Sequence, residues 1–128
     1  MMKKVLKLVA ILFSALLIVA CSKPKITKEQ QDNVVTWIVR SYKVEEVEFI
    51  SFTKNESTGS YTLKMKINGN DSMITGVLIE HIEELDDRNG IIGLSPIDKF
   101  ESIQKEKGLE EDADVSLSGI KIKYLGEK

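Results

Sequence analysis

Few side chains in this 128-residue chain can do chemistry, and the first to weigh is Cys21, its single cysteine. A thiol can serve as a nucleophile, a zinc ligand, half of a disulfide or the acceptor of a covalent group. With one cysteine there is no intrachain disulfide and no cysteine-rich zinc set. His81 is the single histidine, and acid–base catalysis most often relies on a His poised by a neighbour. At the end of a predicted strand it is expected to be structural or exposed. No Gly-x-Ser-x-Gly elbow is present, and no Gly-rich loop opens a helix in phosphate-binding form. Two acidic runs remain, Glu83 to Asp87 and Glu110 to Asp114. Carboxylates coordinate calcium, but neither run has the spaced Asp, Asn and closing Glu of an EF-hand loop. A solvated acidic surface is the expectation. These residues predict no enzyme, no metal and no cofactor.

The surroundings of Cys21 say more than its thiol. Lys3, Lys4 and Lys7 give a positive start, Val5 to Ala20 is apolar except for Lys7 and Ser14, and the stretch closes on Ile18, Val19, Ala20, Cys21. That is the layout of a secretory signal. The apolar run is shorter than the roughly 20 residues of a spanning helix, and a small residue followed by Cys has no purpose in an anchor. Ile18-Val19-Ala20-Cys21 resembles the lipobox of bacterial lipoproteins, in which a diacylglycerol is attached to the Cys thiol and the peptide is cut just before it. The resemblance implies a signal peptide over residues 1–20 and lipidated Cys21 as the first mature residue. It also implies a protein held on the extracytoplasmic face of the cell membrane by its lipid.

Cleavage at that point leaves 108 residues, enough for one domain with one core. It removes three of the 18 basic residues and none of the 20 acidic ones, so the mature chain carries a net charge of −5. Nucleic-acid binding, which needs a basic face, is excluded as an expectation. Residues 21–26 form a short tether, with Lys23, Lys25 and Lys28 in or beside it. Those lysines either meet anionic lipid or belong to a solvated linker.

One domain over residues 27–128 must then carry the function, and its elements follow in order. Thr27 and Gln30 match a capping box, and Val34, Trp37, Ile38 and Tyr42 recur at helical spacing. A helix is predicted from Thr27 to about Tyr42, with Trp37 in its core face. Val44 to Lys54 is rich in β-branched and aromatic residues and predicts a strand. Asn55 to Ser60 is turn chemistry, and Tyr61 to Ile67 alternates with Leu63, Met65 and Ile67 on one face. Asn68-Gly69-Asn70-Asp71 predicts a tight hairpin to an antiparallel strand over Ser72 to Ile82, where Gly76 marks a bulge or a close backbone approach. Ser95-Pro96-Asp98 predicts a capped second helix from Pro96 to about Lys107. Val115 to Tyr124 predicts a last strand that changes face at Gly119. The expected class is α+β: an N-terminal helix on an antiparallel sheet of about four strands, with a short extra helix before the last.

The lipobox, the helix opening Thr27-Lys28-Glu29-Gln30-Gln31, the strand Phe49-Ile50-Ser51-Phe52-Thr53-Lys54, and Ser57-Thr58-Gly59-Ser60-Tyr61 leading to Ile67-Asn68-Gly69 together resemble small lipoproteins of Gram-positive bacteria such as streptococci and staphylococci, which carry one cystatin-like domain. The resemblance covers roughly the first 70 residues. It implies a cystatin-like fold and brings no catalytic or binding residues with it, since a shared fold does not fix function. Two function classes remain. The first is a non-catalytic binding module whose exposed edge strands, loops or sheet face meet a protein or peptide at the cell surface. The second is an envelope stress or immunity-type protein that occupies a membrane-proximal enzyme or toxin.

Overall fold

A computed structural model describes residues 24–126. Cys21 and the lipobox residues Ile18, Val19 and Ala20 lie outside the described residues, as does the expected signal peptide. The capping box forms as its sequence dictates: Gln30 N–H donates to Thr27 Oγ1 at 3.0 Å and Thr27 N–H to Gln30 Oε1 at 2.9 Å. Helix α1 (Lys28–Val39) starts from it and stops at Arg40, before the expected Tyr42.

Strand β1 (Glu46–Lys54) runs into a turn at Asn55–Ser60 and back as β2 (Tyr61–Ile67). Asn68 and Gly69, at φ +54° and +63°, make the next tight turn because Asn and Gly tolerate the left-handed region. Strand β3 (Ile74–Ile79) then returns antiparallel to β2. It is shorter than expected, and Gly76 pairs regularly with Lys64 while a Cβ on it would stand 3.4 Å from Thr62 Cγ2, a close approach and not a bulge. The bulge sits instead at Ile50 of β1, where the register to β2 slips between Phe49 and Ser51.

The second helix is much shorter than its predicted span. Helix α2 (Ile97–Phe100) continues only as a 3-10 turn, Glu101–Ile103, and Pro96 stands at the N-cap after a cis peptide bond to Ser95. Tertiary pairing explains the truncation. Lys43 N–H donates to Ile103 O at 2.7 Å, Lys105 N–H to Ser41 O at 2.9 Å, and Leu109 N–H to Arg40 O at 2.8 Å. The backbone beyond Ile103 is satisfied by the exit of α1, so it does not need to coil on itself.

The last strand, β4 (Lys121–Lys123), is also a fragment of its predicted length, and Val115 to Gly119 precedes it as irregular chain. It pairs with β1 in parallel, Val47 opposite Ile122. The sheet, in order β3-β2-β1-β4, is therefore mixed and not wholly antiparallel. The long connection from β3 passes around the molecule and enters beside β1 in the same direction. A parallel neighbour requires such a crossover.

One sheet face carries Val47, Phe49, Phe52, Leu63, Met65 and Ile67 against Val34, Val35 and Ile38 of α1, closed at the far end by Leu85, Leu94 and Phe100. The other face carries charge. Lys66 Nζ meets Asp71 at 3.0 Å and Glu48 at 4.0 Å, and Lys123 Nζ meets Glu46 at 3.5 Å. The hydrogen bond and charge of Asp71 raise the pKa of Lys66 above its ordinary 10.5, against a lowering by desolvation and with smaller help from Glu48 and Glu46.

Candidate interaction surface

Helix α1 is buried on more sides than its apolar stripe requires, and the polar residues among those buried decide which surfaces stay open. Gln30, Asn33, Trp37 and Arg40 stand at helical spacing along one side, and all donate to the segment after β3. Gln30 Nε2 reaches Asp86 Oδ1 at 3.0 Å, Asn33 Nδ2 reaches Leu85 O at 2.9 Å and Trp37 Nε1 reaches Asp87 O at 3.0 Å. Arg40, fully buried, gives Nη1 to Arg88 O at 2.8 Å and Gly90 O at 2.7 Å, and Nε to Ala113 O at 2.9 Å. Its Nη2 is buried without a hydrogen-bond partner among the described residues. A guanidinium fits this role because its donors are fixed in a planar fork and stay charged.

This stripe straps residues 85–90 to the helix and draws the two acidic runs together. Gly90 N–H donates to Glu111 O at 2.7 Å, and Arg88 Nη1 meets Asp114 Oδ1 at 3.0 Å. The carboxylates themselves point to solvent. Among the described residues no three His, Cys, Asp or Glu side chains gather as a metal site would need. Gly90 has φ +136°, and a Cβ there would stand 3.4 Å from Trp37 Nε1. Trp37, 8% exposed, is a core residue as its stripe predicts. His81 is exposed at the end of β3, and its backbone N–H donates to Glu84 Oε2 at 3.2 Å.

On the other side of α1, fully buried Gln31 acts as a surrogate strand. Leu125 N–H donates to Gln31 Oε1 at 2.7 Å, and Gln31 Nε2 donates to Leu125 O at 3.3 Å. Tyr124 Oη donates to Asp32 Oδ1 at 2.6 Å. The chain leaving β4 is thereby pulled off the sheet and onto the helix. Strand β4 covers only Glu46 to Glu48 of β1, so among the described residues no strand pairs with Ile50 to Lys54 on the outer side.

A groove of about 800 Å³ occupies that place. Its lining takes in the consecutive run Ile50 to Lys54 together with Pro24, Lys25, Ile26, Leu125 and Gly126, and Ile26 and Leu125 meet at Gln31, whose Nε2 donates to their carbonyls at 3.5 and 3.3 Å. Five consecutive residues on one lining mean that the groove follows a strand edge, because a sheet face would contribute alternate residues. Asn55 N–H donates to Ser60 O at 2.8 Å, which makes that pair a hydrogen-bonded one. Alternation along the antiparallel ladder then turns the backbone groups of Ser51 and Thr53 toward β2, and those of Phe52 and Lys54 outward into the groove.

Sequence reasoning named edge strands as candidate surfaces without saying which edge, and it missed the part played by Gln31. A polar residue beside the apolar stripe was the available signal.

Comparison of the chain with protein-family models, with curated proteins and with solved structures returned no match. The functional argument therefore rests on this chain's own chemistry.

Proposed function

We propose that the protein is an extracytoplasmic lipoprotein, anchored in the cell membrane through Cys21, whose domain is a non-catalytic binding module for a protein or peptide at the cell surface. The observation that carries the reading is the outer edge of β1, which no described strand pairs and whose groove is lined by Pro24, Lys25 and Ile26. The domain presents a backbone-rich groove there. Pro24 is the third residue after Cys21, and extended chain covers ~3.3–3.6 Å per residue, so the groove lining starts within about 11 Å of the lipid-bearing residue. The side chains around the groove are apolar, hydroxyl-bearing, Lys25, Lys54 and Glu56. That set, with its exposed strand backbone, suits recognition of an extended chain.

The anchor is tested by Cys21→Ala in the cells that make the protein. The native chain is expected in the detergent phase with lipid on its N-terminal Cys, and the variant in the medium or as an uncleaved precursor. If the variant is still cut after Ala20 and still enters the detergent phase, the reading is wrong. The short tether also favours a second reading, an envelope stress or immunity-type protein that occupies an enzyme or toxin at the bilayer. Only that reading expects loss of the protein to sensitise the cell to such a toxin.

A further inference from the structure

We propose that the outer edge of β1, Ile50 to Lys54, is a strand-addition site. It takes an extended polypeptide segment of about five residues, apolar at alternate positions and bearing a carboxylate that meets Lys25 and Lys54. The inference deepens the binding-module reading and rests on it.

Three observations define the occupant. The first is the backbone: Phe52 and Lys54 each turn an N–H and a C=O outward, and no described residue pairs with them. A lipid headgroup lined up along this edge supplies acceptors for the N–H groups and little for the carbonyls. A polypeptide backbone in extended form matches both. The second is length. Beyond the reach of β4 the edge runs five residues, which at ~3.3 Å each is about 17 Å of strand.

The third is side-chain chemistry. Phe52 and Lys54 share one face of β1, next to Tyr61, whose ring stacks on Phe52 at 5.2 Å and has Lys54 Nζ 5.9 Å from its centroid. An added strand continues the pleat. Its residues on that face lie beside Phe52 and Lys54, and the groove lining also supplies Ile26, Leu125 and Lys25. In a mature chain of net charge −5, a groove with two lysines against Glu56 stands out as a place for an acid. A second copy pairing through the same edge would bring Ile50 to Lys54, a run that holds no carboxylate to meet the two lysines. The bulge at Ile50 and the charge of Lys54 are also features that protect edges from indiscriminate pairing.

The test uses the full chain purified from membranes in detergent, with a phage-displayed library of random hexapeptides as probe. Enriched peptides are expected to alternate apolar and polar residues with an Asp or Glu near one end. A synthetic copy of the strongest should slow hydrogen exchange at the amides of Phe52 and Lys54. Lys54→Pro removes an outward N–H while sparing the bonds to β2, and should weaken binding at least tenfold. Lys54→Glu should shift selection from acidic to basic peptides, and Lys64→Glu, away from the groove, should change neither. Trp37 emission checks that each variant is folded. Selection of no peptide, protection confined to other amides, or binding to Lys54→Pro within threefold of native would overturn the proposal. So would a dimer that Lys54→Pro dissolves, or phosphatidylglycerol vesicles protecting the edge amides where no peptide does. Running Cys21→Ala alongside separates the anchor from the groove: that variant loses the anchor and keeps the groove, so failed peptide binding by a properly lipidated chain sinks the strand-addition site while the anchor stands.

Discussion

Replacing Arg40 with Met tests whether the strap over α1 is held by one buried cation. Methionine fills much of the same volume and supplies no donor, so the carbonyls of Arg88, Gly90 and Ala113 lose their partners at 2.8, 2.7 and 2.9 Å. Hydrogen bonds to a charged group are worth roughly 1.5–3 kcal/mol each, so three of them would give an upper figure of about 4.5–9 kcal/mol. Two effects reduce the sum. Burying the guanidinium carries its own desolvation cost, which the substitution removes, and the freed loop carbonyls regain water once the strap loosens. The expected loss is about 3–5 kcal/mol, the range for removing one partner from a buried charged network.

Against a typical domain stability of about 5–15 kcal/mol, that is a large fraction. Arg40→Lys keeps the charge but not the fork, and should lose about half as much. The assay is urea unfolding followed by Trp37 emission, with hydrogen exchange across residues 86–92 and 111–115. Those segments should exchange faster in Arg40→Met than β2 does, because the strap opens before the sheet. A loss below about 1 kcal/mol, the net worth of a single ordinary hydrogen bond, would refute the reasoning. So would uniform exchange across strap and sheet.

Two further outcomes follow from other parts of the structure. Gln31→Leu, near in size but without the amide, should free the N–H and C=O of Leu125 and speed exchange from Tyr124 to Gly126. It should cost about 1–3 kcal/mol for polar groups left unpaired; unchanged exchange there would remove Gln31 from its role in holding the groove wall. Lys66 gives a pH test. Its folded pKa is raised above 10.5 chiefly by Asp71, so its contribution is complete below 10.5 and lost as pH rises through the folded value. The urea midpoint should fall over that alkaline range and fall less in Asp71→Asn; identical slopes would show that the pair does not hold in solution.

The start of α1, the faces of β2 and the turn at Asn68-Gly69 were legible in the sequence. Each depends on residues within a few positions of one another: the Thr27–Gln30 capping box, alternation from Tyr61 to Ile67, and two residues that tolerate positive φ. Local sterics and hydrogen bonding decide such features before any tertiary contact forms. The truncation of α2 and the direction of β4 were not legible, because both are settled by partners far along the chain. The 103–109 segment pairs with the exit of α1, and β4 enters beside β1 only after a long crossover. Apolar periodicity says which face a residue buries and is silent on which backbone lies next to it.

The candidate site divides along the same line. That Ile50 to Lys54 is extended follows from its own β-branched and aromatic residues. Whether its outer edge is open depends on where β4 ends, and β4 ends where Gln31 captures Leu125, 94 residues away in sequence. An amide side chain reads in sequence as one more polar position on a helix. Only packing α1 between the strap and the C-terminal segment buries it, and once buried it must find a donor and an acceptor, which the backbone of Leu125 supplies.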